Sequence, residues 1–418
     1  MRFLLLTEYY PPEVGAAQTR LAATARCLRE AGHEVLVVTA LPNYPKGRVF
    51  DAYRGRRTVS EAIDGITVRR TWVHPHRGSD ARRLLTYLSF QASSLPVVMT
   101  EVRRRRPDYL LIESPPLFLG LTGILLRRLL GVPYIFNVAD LWPDWAVAMG
   151  AVRAGGLQHR VAARLESWIY RRAAAVTAVT RNIGEAIRAK GVDSARILFL
   201  PNGVDLEAYD GTPQPSRLAA QLAARGEPIA LYAGTLGTYH GLDVALDAAR
   251  LLQNQSPVRL VFVGDGAERD RLQEQARSAG LDNVEFHDPV PVAEIPALLA
   301  AASVALSVIR IPTRAAKVMP AMAAGKPIVY SGAGEGADLV REAGAGLVVP
   351  PGEPEALADA IARVIADPAL AARLGRAGRR YAGEHLSWRA LVRDWSDQLA
   401  ALGPKLPPGR LATESAPK

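Results

Sequence analysis

"PIALYAGTLGTYHGLDVALDAA", residues 228–249, decides the fold. It reads as a strand, a glycine turn and the start of a helix: an apolar run stops at Gly234, and leucines and alanines resume after Gly241. An apolar strand bounded by loops and followed by a helix belongs in a parallel sheet covered on both faces. The same unit recurs downstream in "VRLVFVGDG" (258–266), "VEFHDPV" (284–290), "SVALSVI" (303–309), "PIVYSGAG" (327–334) and "AGLVVPPG" (345–352). Upstream it recurs in "RFLLLT" (2–7), a helix from about Ala16 to Ala31 ended by Gly32, and "EVLVVTA" (34–40). "YLLIES" (109–114), "VPYIFNVAD" (132–140), "AAVTAVT" (174–180) and "ARILFLPNG" (195–203) complete that half.

The pattern implies an α/β protein of two doubly wound, Rossmann-like domains, residues 1–200 and 201–386, joined by the Gly/Pro-rich stretch 200–216. Residues 387–402, "SWRALVRDWSDQLAAL", form an amphipathic helix with Trp388, Leu391, Trp395 and Leu399 on one face. The Pro-rich, polar stretch 403–418 reads as a disordered tail.

A length of 418 residues suits two cores, and 49% hydrophobic with 22% charged residues is a globular composition. The single cysteine, Cys27, excludes an intrachain disulfide and fits a reducing compartment. The apolar run in "MRFLLLTEYYPPE" is too short for a signal peptide or a membrane span, so a cytoplasmic protein is expected. Residues 1–200 hold 29 Lys and Arg against 16 Asp and Glu; the rest of the chain holds 22 against 25. An excess of +13 in the first domain points to an anionic partner, whether nucleic acid, a membrane surface or a phosphorylated acceptor. Nucleic acid is disfavoured, because aromatic residues are not interleaved with the basic ones. The stretch 82–106, apolar between arginines, reads either as a segment resting on the inner face of the plasma membrane or as a helix packed on the first sheet. Pro96 and its serines argue against a spanning helix.

In sheets of this kind ligands bind beyond the carboxyl ends of the strands, where loops meet helix amino ends. Four such loops stand out. Gly15 and Ala16 let the backbone approach a phosphate at a helix start. Gly234, Thr235, Leu236, His240 and Gly241 form the second loop, and Gly264, Asp265 and Gly266 the third. In the fourth, Arg314 and Lys317 precede a helix that contains Pro320, where a proline is tolerated only in the first turn. A helix starting near Lys317 is therefore expected. Asp140, at a strand end, could orient an acceptor hydroxyl or take its proton, or simply cap the next helix, with Asp144 the second candidate. The histidines, among them His33, His74, His76 and His240, show no metal-ligand spacing, and no metal site is expected.

The run "EYYPPEVGAAQTRLAATARCLREAGHEVLVVTALPNYPKGRVFDAYRGR", with residues 114–150, "LPNGVD" (200–205), "VPVAEIPALLAAASVAL" (290–306) and "MAAGKPIVYSGAGEGADLV" (322–340), resembles glycosyltransferase family 4. The resemblance is strongest to its branch of WbuB-like and colanic-acid-type transferases of polysaccharide assembly. It implies the GT-B fold, two domains facing a cleft, with the last helix crossing back to the first domain. It also implies a retaining, metal-independent transfer from a nucleotide-diphosphate sugar, most simply a UDP-sugar, without a cofactor. The acceptor would be a lipid-linked or membrane-associated glycan, bound by the first domain. A small-molecule acceptor and a non-catalytic partner protein are the alternatives. By the same resemblance Asn202, Val290 and Glu294 join the donor-binding loops, Glu294 near the base. Lys317 matches the family's lysine. Pro312 and Pro320 occupy the slots of its two glutamates, and Thr235 and His240 those of its diphosphate-binding arginine and lysine.

Overall fold

The computed structural model describes residues 1–13, 15–44, 47–75, 80–148, 152–211, 213–310 and 316–403. Arg314, Pro312, His76 and the expected tail from Pro404 onward lie outside the described residues. The chain divides into two compact units, Asn202–Ser387, and Met1–Pro201 together with the chain from Trp388.

The first unit is built on eight strands: β1 Arg2–Leu6, β2 Glu34–Ala40, β3 Thr58–Ile63, β4 Ile66–Thr71, β5 Tyr109–Ser114, β6 Tyr134–Val138, β7 Ala175–Ala178 and β8 Ile197–Phe199. Their order is β3-β4-β2-β1-β5-β6-β7-β8, so the winding reverses between β1 and β5. Successive residues of β1 serve opposite cores: Phe3 and Leu5 pack among Leu21, Leu28 and Trp395, while Leu4 and Leu6 pack among Phe90, Val98 and Leu126. That alternation within an unbroken apolar run is what a doubly covered strand requires.

The sheet is not wholly parallel, as the sequence had suggested. β3 runs antiparallel to β4 at the edge. Its residues alternate exposed and half-buried because only one face is covered, and so it carries no apolar run. The signal that could have found it is Asp64-Gly65, whose φ angles of 50° and 73° make the tight turn of a hairpin.

All of residues 82–106 but the last fall within one helix, Asp80–Arg105, with Pro96 inside it. Its inner face is buried through Tyr87, Phe90, Val98 and Val102, so the segment packs on the sheet. The last helix, Trp388–Leu402, covers the opposite face. Trp395 is fully buried, and its indole donates to Thr177 Oγ1 at 3.0 Å. Val392 rather than Leu391 is the buried residue of the second turn.

The second unit has six parallel strands: β9 Ile229–Ala233, β10 Arg259–Val263, β11 Val284–His287, β12 Val304–Val308, β13 Ile328–Ser331 and β14 Gly346–Val349. Their order, β11-β10-β9-β12-β13-β14, reverses between β9 and β12. Pro320 belongs to the helix Val318–Ala323, which Lys317 caps. Its missing amide hydrogen falls in the first turn, where no intrahelical acceptor exists.

Candidate functional site

The reversal between β9 and β12 opens a crevice at their carboxyl ends. Three loops meet there. Those after β9 and β10 are knitted together: Gly234 donates its amide to Val263 O at 2.9 Å, Leu236 to Asp265 O at 2.9 Å and Glu268 to Leu236 O at 3.0 Å. Gly264, at φ 152°, lies so close that a Cβ would stand 1.9 Å from Gly234 O. Gly234 itself leaves room for Lys317, whose Cε would lie 2.3 Å from a Cβ there. The third loop, between β12 and the helix Val318–Ala323, delivers Lys317.

Lys317 Nζ sits 4.9 Å from the centre of the Tyr232 ring. Burial pushes its ammonium down to about 8. His240 is buried beside the same ring, at 6.1 Å between centroids. Burial, and then the Lys317 charge, lower its imidazole to about 4, so it is neutral at physiological pH. Tyr232 is fixed by a 2.7 Å bond from its hydroxyl to Thr235 O. The structure thus brings together Gly234, Thr235, His240 and Lys317 around one aromatic ring.

Beside them lies a cavity of about 300 Å³ lined by Thr238, Gly241, Asp243, Glu268, Arg271 and Arg310. Arg310 spans it to Asp243, donating to both carboxylate oxygens at 2.9 and 2.8 Å. Arg271 is paired with Glu268 at 2.6 Å. Sequence reasoning missed the four charged residues among them, because charges just past strand ends and at helix starts look like ordinary solvated ones. Asp265 accepts from Gly266 N at 2.8 Å and shapes its own loop. Glu294 ends a short 3-10 turn, Val292–Glu294, ahead of the helix Ile295–Ala301, with half-buried Val290 just before it. Asn202 begins the second unit.

In the first unit the polar residues gather at the β1/β5 reversal. Glu113, at the end of β5, takes Arg20 on one oxygen and the Asn137 amide on the other. All three are buried. Burial raises the Glu113 carboxyl, against Arg20, and nearby Asp140 raises it further. Asn137 Oδ1 and Ser114 Oγ are buried there without a hydrogen-bond partner among the described residues. Asp140 is exposed in the loop after β6. Asp144 turns elsewhere, to Lys190 at 3.3 Å and His159 at 3.4 Å. Gly15 caps the helix Ala16–Glu30 with extended backbone, and the Gln18 side chain fills the space beside it. Glu13 is occupied structurally, accepting the amides of Asn43 and Tyr44 at 2.8 Å. Among the described residues no group of three His, Cys, Asp or Glu is placed to hold a metal.

An open crevice with a cation, a neutral imidazole and close-packed glycine turns suits a nucleotide diphosphate, while a fixed network of polar groups suits hydroxyls. The comparisons agree in class. The family model of the glycosyl transferase 4-like domain matches residues 15–203, and that of glycosyl transferases group 1 matches residues 216–381. The 2-deoxystreptamine glucosyltransferase of Streptomyces kanamyceticus is 29% identical over 310 residues, 72% of this chain and 80% of that protein. WcaI of Escherichia coli K12, named for colanic acid biosynthesis, is 28% identical over 304 residues, 72% of this chain and 74% of its own length. Among solved structures, Anabaena HepE in complex with UDP has a TM-score of 0.72 at 22% identity, covering 96% of this chain and 100% of that one. These likenesses show a GT-B glycosyltransferase that uses a nucleotide sugar. The chain belongs to glycosyltransferase family 4.

Proposed function

We propose that the protein moves a sugar, with retention of configuration and without a metal, from a UDP-sugar to a lipid-linked glycan. The observation that carries the donor half is the grouping of Lys317, Tyr232 and His240 at the β9/β12 reversal. Lys317 and the loop amides would hold the diphosphate as it leaves, and hydrogen bonds of that charged kind strengthen as charge develops. Neutral His240 would donate or accept one hydrogen bond without adding charge. UDP is favoured because it is the nucleotide bound in the HepE structure. Retention is what the family resemblance implies. The Glu113, Arg20 and Asn137 network, with Asp140 beside it, is the acceptor-side candidate. A soluble aglycone is the second reading, favoured by the aminocyclitol transferases among the relatives.

Calorimetric titration with UDP, GDP, dTDP, CDP and ADP in metal-free buffer tests the donor half, on the wild type and on Pro320→Glu. Selective binding of UDP supports the reading. Absence of binding to all five by the wild type would overturn it, and a gain confined to Pro320→Glu would mark position 320 as an empty ribose slot.

A further inference from the structure

We propose that an anionic lipid surface docks on one patch at the carboxyl edge of the first sheet, made by Arg56, Arg57, Trp72, Leu84, Leu85 and Leu88. The proposal deepens the lipid-linked-acceptor reading by giving the membrane a defined seat.

The topology brings these residues to one edge. β4 ends at Thr71, paired with Ala40 at the end of β2, and antiparallel β3 begins opposite it at Thr58. Arg57 and Trp72 are the next residues outward on the two strands. The chain past Trp72 is tied to the long helix, for Ser89 Oγ accepts the His74 amide at 2.8 Å and Ser93 Oγ donates to Trp72 O. Leu85 and Leu88 stand within one turn of Ser89, and Leu84 lies one turn behind Leu88 on the same face.

Four large apolar side chains are exposed here together: Trp72 at 45%, Leu84 at 39%, Leu85 at 55% and Leu88 at 44%. A soluble surface scatters such residues singly, and a group of them marks a contact. Charge complementarity chooses the occupant. Arg56 and Arg57 are exposed and, among the described residues, held in no ion pair, within a unit whose first 200 residues carry a +13 excess. Exposed leucines and a tryptophan flanked by free arginines are the composition of a surface that inserts shallowly among anionic headgroups. The arginines at the other end of the helix do not share in this. Over 26 residues the helix is about 39 Å long, and its carboxyl end is tied to the opposite edge of the sheet, where Arg2 donates to Arg105 O at 3.0 Å.

The test is co-sedimentation of the full chain with vesicles of phosphatidylcholine alone or with roughly 30% phosphatidylglycerol. The wild type is expected to sediment with the anionic vesicles and to be released by high salt. Leu85→Asp combined with Leu88→Asp should weaken partition at least about tenfold. Arg56→Gln with Arg57→Gln should weaken it about fivefold per arginine and flatten the salt dependence. Arg103→Gln with Arg104→Gln, at the far end, should change it less than about twofold. All the substituted side chains are exposed, and unchanged thermal melting verifies folding. Equal sedimentation of wild type and patch variants would overturn the proposal. So would indifference to phosphatidylglycerol, or a lipid-free dimer that the leucine variant dissociates, which would give the patch to a second copy. Transfer assays with a lipid-linked and with a soluble acceptor on the same samples separate the two readings, because vesicle binding that persists while only the soluble acceptor is glycosylated sinks the acceptor reading and leaves the patch intact.

Discussion

At His240 the protein buries a neutral imidazole beside the Tyr232 ring. Its folded value near 4 lies below the ordinary 6.5, so between those limits the unfolded chain binds the extra proton. Stability from this group is complete above about pH 6.5 and falls as pH drops toward 4, by about 3 kcal/mol. Urea titrations across that range should show the loss, and His240→Gln should flatten it. Lys317 behaves oppositely toward ligand. Its ammonium, lowered to about 8, discharges as pH rises, so affinity for a nucleoside diphosphate should decline between about pH 7 and 9. Lys317→Arg should keep binding level over that window, and Lys317→Met should weaken it about tenfold or more at pH 7. Gly264→Ala would press a methyl group against Gly234 O and should lower stability by about 2–4 kcal/mol in the same urea assay.

Among elements, two of the helix prolines, Pro320 and Pro96, make a contrast that mutation can read. Pro320 lies in the first turn of its helix, and Pro320→Ala should change stability by less than about 1 kcal/mol. Pro96 lies within a 26-residue helix and denies it one backbone bond. Pro96→Ala should raise the urea midpoint, by about 1–2 kcal/mol in stability. The amino-acid pattern made the buried strands plain, because doubly covered strands are continuous apolar runs that few loops imitate. β3 and β4, which alternate along the strand instead of running apolar, escaped for the converse reason. The glycine turns after β9 and β10 could be placed from sequence, since only glycine permits backbones to approach so closely. The partners within the site could not. Which oxygen Arg310 or Arg20 meets depends on residues 67 and 93 positions away, and no local spacing encodes that.

For the whole molecule, the division of labour between units follows the charge and the topology. The first unit carries the basic excess, the buried acid–arginine network and the exposed apolar patch; the second carries the crevice with Lys317. Truncation after Ser387 would uncover Phe3, Leu5 and Val37, which the last helix shields. Such a chain should lose the melting transition of the first unit while still binding nucleotide through the second, as calorimetry would show.

The return of that helix has a further consequence. The chain leaves the first unit at Pro201 and re-enters it at Trp388, and the strands of passage lie together, with Val204 donating to Leu386 O at 2.8 Å and bridging to Ser387. In chain order the second unit is thus an insertion in the first. During synthesis its residues are all available before Trp388 emerges from the ribosome. The unit that is translated first therefore stays short of its last helix, one face bare, until the whole of the second has been made.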